Sequence, residues 1–158
     1  MTDARFEDGG ESALRLMAQD ADSLEIISAL VQDAVFPAAE MKWRAKARDF
    51  AILLNRFRWE DKDNAEARKR PYERVQTVLV ISDVVRVFSQ GVDRSDPEMI
   101  LSLLSLAWEP DEDGTGRITL TLAGDGAIAL DVECLNLSLQ DVTRPYIAPS
   151  GKAPDHPD

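Results

Sequence analysis

The chain has 158 residues, the usual size of one domain, and 44% of them are hydrophobic, so it can form a core without a metal or a disulfide. Its formal net charge of -11 argues against a general nucleic-acid-binding role and against binding to an anionic membrane, because an acidic surface repels polyanions at long range. The single cysteine, Cys134, excludes an intramolecular disulfide.

The two ends of the chain differ in composition from the rest. Residues 1–12 are small and charged without the apolar core of a signal peptide, and residues 148–158 are rich in proline and polar side chains. We expect both to be flexible tails of a single globular domain that spans 13–147. The lone cysteine, the polar start and the short apolar runs together predict a cytoplasmic protein with no membrane span.

The first predicted elements are a short strand and a helix. Apolar residues alternate over 14–18, which predicts a strand. A helix is predicted over about 21–34, because Asp20 and Asp22 are candidate N-caps and apolar residues follow at helical spacing. Pro37 comes soon after and would stop the helix.

The middle of the chain is typical of strands. Residues 41–47 alternate between apolar and basic side chains, and 50–59 is apolar on both faces, so the two predict a hairpin whose second strand is central. A charged loop over 60–71 separates them from 74–81, which is rich in β-branched residues. Residues 84–88 can continue that strand after a kink.

The last third contains one clear hairpin and two ambiguous segments. Segments 117–122 and 127–133 alternate in phase on either side of Gly124–Gly126, which predicts a hairpin with one wet face. Residues 99–108 fit a strand or, with Pro97 at the first position, a helix, and we favour the strand. Residues 134–142 fit either a last strand or a short closing helix.

The order of elements predicts an α+β fold. We expect a bent antiparallel sheet or partly open barrel, with the N-terminal helix covering one side or end. A pleckstrin-homology-like roll is compatible with this order, especially if 134–142 is helical.

Several blocks resemble one known family. They are Leu16–Asp20 with Leu24, Leu30–Val35 (LVQDAV), Phe50–Glu60 (FAILLNRFRWE), and Gly126–Leu135 (GAIALDVECL) leading into Leu139–Val142 (LQDV). The chain is similar, over roughly residues 14–145, to a bacterial, chiefly alphaproteobacterial, family catalogued as domain of unknown function 2948. The resemblance implies a bacterial, single-domain, cytoplasmic protein. It implies no activity, substrate or catalytic residue.

The residues needed for common enzyme chemistries are sparse. The only histidine, His156, lies in the polar tail, and one cysteine and one distant histidine cannot form a usual zinc site, so we predict no metal and no cofactor. We expect Cys134 to be a small buried hydrophobe. The sequence favours a non-catalytic binding or scaffolding module. The alternative is a small hydrolase-type enzyme that uses arginines or carboxylates, such as Asp131 and Glu133, in a cleft.

Two arginines are the first candidate ligand-binding residues. Arg56 and Arg58 share a strand face with apolar side chains, so each needs a carboxylate, a backbone carbonyl or an anionic ligand. Internal pairing, with Asp33, Glu133 or Asp141 for example, is the alternative to a bound anion.

A basic stripe gives the second set of candidates. Residues 42–74, which we call the basic stripe, contain eleven of the 18 basic residues and six acids, a balance of +5 against -16 for the rest of the chain. Lys42, Arg44 and Lys46 should leave one face of their strand together. We expect them to bind a small anionic ligand or an acidic protein partner, and nucleic acid is disfavoured.

The aromatic residues raise the possibility of self-association. The chain has more large aromatic side chains than a small core needs: Trp43, Phe57, Trp59, Phe88 and Trp108. Some could form an exposed patch that binds another copy in a homo-oligomer, and the alternative is ordinary core packing.

Overall fold

The computed structural model describes residues 13–93 and 95–155. Within these residues the chain is 49% strand and 18% helical, with eleven strands and two short α-helices. The predicted α+β class with its N-terminal covering helix is therefore wrong. The protein is mainly an open antiparallel sheet, and only the antiparallel character of the prediction is confirmed.

The strands carry most of the chain. They are β1 Arg15–Ala18, β2 Ala34–Pro37, β3 Met41–Arg44, β4 Asp49–Phe57, β5 Glu73–Ile81, β6 Val84–Gln90, β7 Ile100–Pro110, β8 Gly116–Leu122, β9 Gly126–Val132, β10 Leu137–Asp141 and β11 Tyr146–Ile147. The helices are α1 Ala21–Leu30 and α2 Lys62–Ala67. Both segments that could have been helical, 99–108 and 134–142, contain strands instead.

Helix α1 is shorter than its apolar spacing predicts. It begins as expected, because the Asp20 side chain accepts a hydrogen bond of 2.8 Å from the Ser23 amide. It ends at Leu30, and Asp33 then takes a positive φ of 64° and donates its amide to the Leu103 carbonyl. Ala34, the last residue of the predicted helix, instead begins β2 and pairs with Leu103 of β7, so hydrogen bonds of the sheet take over where the last helical turn was expected. This loss of helix is one reason that the α+β prediction fails.

All strand pairs in the sheet are antiparallel. The order is β1-β10-β5-β4-β2-β7-β8-β9-β6, with β3 beside β4 and β11 beside β5. The predicted hairpin over 117–133 is present as β8 and β9, and its turn places Gly124 and Asp125 at positive φ. No helix among the described residues has the length and apolar character needed to cross a membrane.

The core lies on the inner face of the bent sheet. On β4 and β5, alternate residues are fully buried, among them Ile52, Leu54, Leu79 and Ile81. Their neighbours on the outer face, such as Leu53, are only half-buried. The alternation of side chains along each strand therefore separates a buried face of the sheet from a partly solvent-exposed face.

The two faces of β4 should respond differently to truncation. We expect Leu54→Ala to lower the free energy of unfolding by about 2–5 kcal/mol, because a fully buried leucine leaves a cavity. The adjacent Leu53→Ala is the matched control and should cost clearly less. Urea denaturation of both variants measures the difference, and equal losses would contradict this assignment of faces.

Candidate functional site

Arg56 is the centre of a buried ion network. Its side chain is 0% exposed, and its Nη2 donates to Asp141 Oδ1 at 3.0 Å and to Glu60 Oε2 at 2.8 Å. Its Nη1 donates to Glu60 Oε1 and its Nε to Thr77 Oγ1. Asp141 also accepts from the Thr77 hydroxyl and from the Leu14 amide. Arg56 is thus paired internally with Asp141, one of the carboxylates expected from the sequence.

Arg58, the residue directly after β4, extends this network. It is 3% exposed, donates to Glu73, and lies 3.6 Å from Asp61 and 3.8 Å from Glu60. Arg70 closes the set with two hydrogen bonds to Asp61, at 2.6 and 2.7 Å. Both predicted ligand-binding arginines are therefore saturated by carboxylates of the chain itself.

The network lowers the pKa of two of its carboxylates, Asp61 and Glu60. The hydrogen bonds from Arg70 are the main reason that the pKa of Asp61 is lowered, and the charges of Arg58 and Arg70 add to this. Burial pushes the pKa of Glu60 upward, but the hydrogen bonds and charge of Arg56 outweigh it and the net shift is downward. Among the described residues, no buried side-chain polar atom lacks a hydrogen-bond partner. Such a network stabilises the fold, and it offers no poised acid or base.

The second set of predicted residues lies elsewhere on β4. Lys42 and Arg44 are on β3, which pairs with the first residues of β4, whereas Arg56 and Arg58 lie at its far end. The two sets are roughly 20 Å apart at about 3.3 Å per strand residue. Lys46 is not on the strand at all, because β3 ends at Arg44 and a turn follows. The structure therefore does not bring the predicted residues into one site.

Most cations of the basic stripe are paired with acids. Arg44 forms two hydrogen bonds with Asp49, at 2.6 and 2.8 Å, and Arg48 forms an ion pair with Glu133. Lys42 and Lys46 are exposed and, within the residues that the structure describes, have no carboxylate partner. Arg68 and Lys69 of the stripe also have no carboxylate partner in the described part of the chain, and Arg74 donates to Asn55, but all three lie away from β3, after helix α2. Lys42 and Lys46 are therefore the unpaired cations of the stripe that lie on β3 and in the turn that follows it.

Beside the lysines, β3 and β6 face each other across a gap that we call the β3–β6 seam. In the described part of the chain β3 pairs only with β4 and β6 only with β9, so the facing edges of both strands are unpaired. A cavity of about 360 Å³ lies between them. Its apolar lining is Met41, Trp43, Phe50, Val87, Val92 and Ile128.

A larger cavity, of about 570 Å³, contains the carboxylates considered for acid–base chemistry. Asp131 accepts a hydrogen bond of 2.8 Å from Arg117, lies 3.4 Å from Arg86, and has a lowered pKa, chiefly because of the Arg117 bond. Glu133 is exposed and paired with Arg48. Both carboxylates are held as paired anions, so this geometry does not favour a general acid or base.

Other sequence expectations have mixed outcomes. Cys134 is exposed, so the prediction of a buried cysteine is wrong; a hydrogen bond to Asp83 is the main reason that the pKa of its thiol is raised, which makes it less nucleophilic. His156 lies outside the described residues. No cluster of three potential metal ligands occurs within 13–93 and 95–155. Of the aromatic set, Phe57 is buried, whereas Trp43 and Phe88 are 38% and 47% exposed.

The sequence analysis named Asp141 and missed the other members of the ion network: Glu60, Asp61, Arg70, Glu73 and Thr77. A signal for Thr77 was present, because it lies in phase with the buried residues of β5. Asp141 has the same signal on β10, where it continues the spacing of Leu137 and Leu139. A polar residue in phase with an apolar stripe indicates a buried polar partner.

The Arg56–Asp141 pair should dominate local stability. We expect Asp141→Leu to lower the free energy of unfolding by about 3–5 kcal/mol, because it leaves Arg56 buried with only part of its counter-charge. The double variant Arg56→Met/Asp141→Leu removes both charges and should recover much of the loss. Urea denaturation measures the free energy of unfolding of both variants. A double variant no more stable than Asp141→Leu would contradict the conclusion that the loss comes from an uncompensated buried charge.

The lowered pKa values of Asp61 and Glu60 predict how stability depends on pH. The unfolded chain binds protons at higher pH than the folded one, so this stabilisation is complete above the unfolded values, about 4. It is lost as the pH falls through the lowered folded values. Asp61→Asn should flatten the decline of the urea midpoint between pH 5 and about pH 3. The exposed Asp63→Asn is the control, and an equal flattening there would contradict the assignment.

Comparison with known proteins gives a family and no function. No curated protein and no solved structure matches the chain. A family model described as "Protein of unknown function (DUF2948)" matches residues 14–156, nearly the whole of the described chain. The resemblance that the sequence blocks indicated is confirmed, and the chain belongs to this family.

Proposed function

We propose that the protein is a non-catalytic binding module that holds an anionic partner against β3. The observation that carries the proposal is the pair of exposed lysines, Lys42 and Lys46, which have no carboxylate partner in the described residues although the chain has a net charge of -11. An acidic body supplies many possible partners for a surface lysine. Two cations left unpaired beside an open strand edge therefore favour an external anion.

The arginines on β3, on β4 and in the segments that directly follow these strands are less suited to the role. Arg56 and Arg58 are buried and saturated, and Arg44 and Arg48 already have carboxylate partners. An incoming anion would have to displace those carboxylates, whereas Lys42 and Lys46 need only lose hydration water. We keep Arg44 as a secondary contact, because it is 65% exposed next to Lys42 on the strand.

The surface suits an acidic protein segment better than a nucleic acid. Extended nucleic acid would meet the acidic remainder of the surface, whereas a short segment can contact the lysines alone. A cytoplasmic location is part of the proposal, since the exposed free thiol of Cys134 suits a reducing compartment.

Charge reversal tests the proposal. We expect Lys42→Glu/Lys46→Glu to weaken binding to an immobilised ten-residue polyglutamate peptide roughly 10- to 30-fold at low salt, because two attractions of about 0.5 kcal/mol become repulsions of similar size. The salt dependence of binding should also decrease. Biolayer interferometry between 20 and 200 mM NaCl measures both quantities.

The matched control is Arg68→Glu/Lys69→Glu. It reverses two exposed cations that are likewise unpaired in the described part of the chain but lie after helix α2, away from β3. This variant has the same net charge as the test variant. Equal loss of binding in both variants, or no polyglutamate binding by the wild type, would show that the lysines of β3 are not a binding site.

A further inference from the structure

The β3–β6 seam has the geometry of a sheet that lacks one strand. Strand β6 lies near β3, because side chains of both strands line one cavity and the amide of Val84, the first residue of β6, donates to the Arg48 carbonyl in the turn after β3. The two strands do not pair with each other within the described residues. An unpaired edge exposes N–H and C=O groups that can hydrogen-bond to an added strand. The backbone of the seam is thus available to an extended chain.

Hydrogen bonds close both ends of the seam. At one end the Val84 amide donates to the Arg48 carbonyl at 2.8 Å, and at the other the Ala39 amide donates to the Pro97 carbonyl at 2.8 Å. Between these contacts β3 is four residues long, or about 13 Å. The seam is therefore a short slot of fixed length.

The inner side of the seam is apolar. Met41 and Trp43 of β3 and Val87 of β6 line its cavity, together with core residues Phe50 and Ile128. Trp43 is 38% exposed, a large apolar surface left partly uncovered. The volume of about 360 Å³ lies within the range typical of ligand pockets, about 300–1,000 Å³.

The outer side of the seam carries three cations, of which Lys42 has no carboxylate partner in the described residues, whereas Arg44 and Arg86 are paired with Asp49 and Asp131. Since Met41 and Trp43 face the cavity, the period of two places Lys42 and Arg44 on the opposite face. On β6, Arg86 is opposite Asp131, an outward residue of β9, and so shares that outer face. A strand added in the seam would alternate in the same way, with one side chain in the apolar cavity and the next beside these cations.

We propose that the β3–β6 seam binds an extended segment of a partner protein as an added β-strand, and that the side chains of this segment alternate between apolar and acidic. The inference rests on the proposed function, because it assigns the anionic partner a conformation and a sequence pattern. Charge complementarity selects this occupant: Lys42 is unpaired in the described part of the chain, Arg44 is a secondary contact paired with Asp49, and Lys46 lies in the turn after β3.

A second copy of this chain is a poorer occupant of the seam. If two copies paired through β3, Lys42 and Arg44 of each would oppose the same residues of the other, and like charges directly opposite on neighbouring strands are destabilising. Lysine on an edge strand is a common means of preventing such self-pairing. An acidic strand from another protein meets no such repulsion.

The test uses the full chain and three fluorescein-labelled ten-residue peptides. One alternates valine and glutamate, one is polyglutamate, and one alternates valine and lysine. By fluorescence anisotropy, we expect the valine–glutamate peptide to bind about tenfold more tightly than polyglutamate, and the valine–lysine peptide not to bind. Trp43→Ala should weaken binding of the valine–glutamate peptide about tenfold and should change binding of polyglutamate little. Ile26→Ala, at an exposed apolar residue on α1, is the control.

Amide hydrogen exchange gives a readout that needs no variant. The valine–glutamate peptide should slow exchange at β3 and β6 together, since both edges gain hydrogen bonds. Equal binding of polyglutamate, no effect of Trp43→Ala and unchanged exchange would overturn strand addition while leaving the anion site of the proposed function intact. Failure of both acidic peptides would overturn both proposals. Light scattering that shows a dimer with β3 and β6 already protected would assign the seam to a second copy and overturn the inference.

Discussion

The buried pair of Arg56 and Asp141 is the interaction on which the rest of the structure depends. Two ions removed from water are tolerated only when hydrogen bonds and opposite charge replace the lost hydration. Here Glu60 and Thr77 accept further hydrogen bonds from the Arg56 guanidinium, and the Leu14 amide donates one to the Asp141 carboxylate. Arg56, Thr77 and Asp141 lie on β4, β5 and β10, Glu60 lies just after β4, and Leu14 directly precedes β1. The pair therefore helps to fix the relative positions of β4, β5 and β10 and of the start of β1.

The same network explains why the charged segment after β4 is ordered. Arg58 and Arg70 both contact Asp61, and Trp59 donates its indole N–H to the Gln32 carbonyl at 2.9 Å. A segment of this composition would otherwise expose few apolar contacts and remain mobile. Its cations therefore stabilise the structure from within, and the charge excess seen in the sequence overstates what the surface offers to a partner.

How far the sequence predicts this protein can be judged from particular residues. The sequence located β4 by its apolar run, β5 by its β-branched residues, and the β8–β9 hairpin by strict alternation of apolar and polar residues. It could not place the end of α1, since Ala34 suits a helix as well as a strand and only pairing with β7 decides. It named Asp141 among possible partners of Arg56, but the choice depends on which strand lies beside β5. Lys46 was assigned to a strand face because the sequence did not reveal that β3 ends at Arg44.

The ion network around Arg56 lies far from the β3–β6 seam, but it affects how rigid the seam is when a strand is added there. The ion pair of Arg56 with Asp141 stabilises one end of β4, and the other end of β4 pairs with β3. Strand β3 therefore pairs with a strand whose position is fixed. The seam is also closed at both ends by backbone hydrogen bonds. Because the seam is already ordered before a strand is added, binding costs little conformational entropy of the protein, and more of the free energy of the contacts appears as affinity. In the proposed mode of strand addition, the ion network contributes by keeping β4 rigid, although it lies too far from Lys42 to contact the added strand.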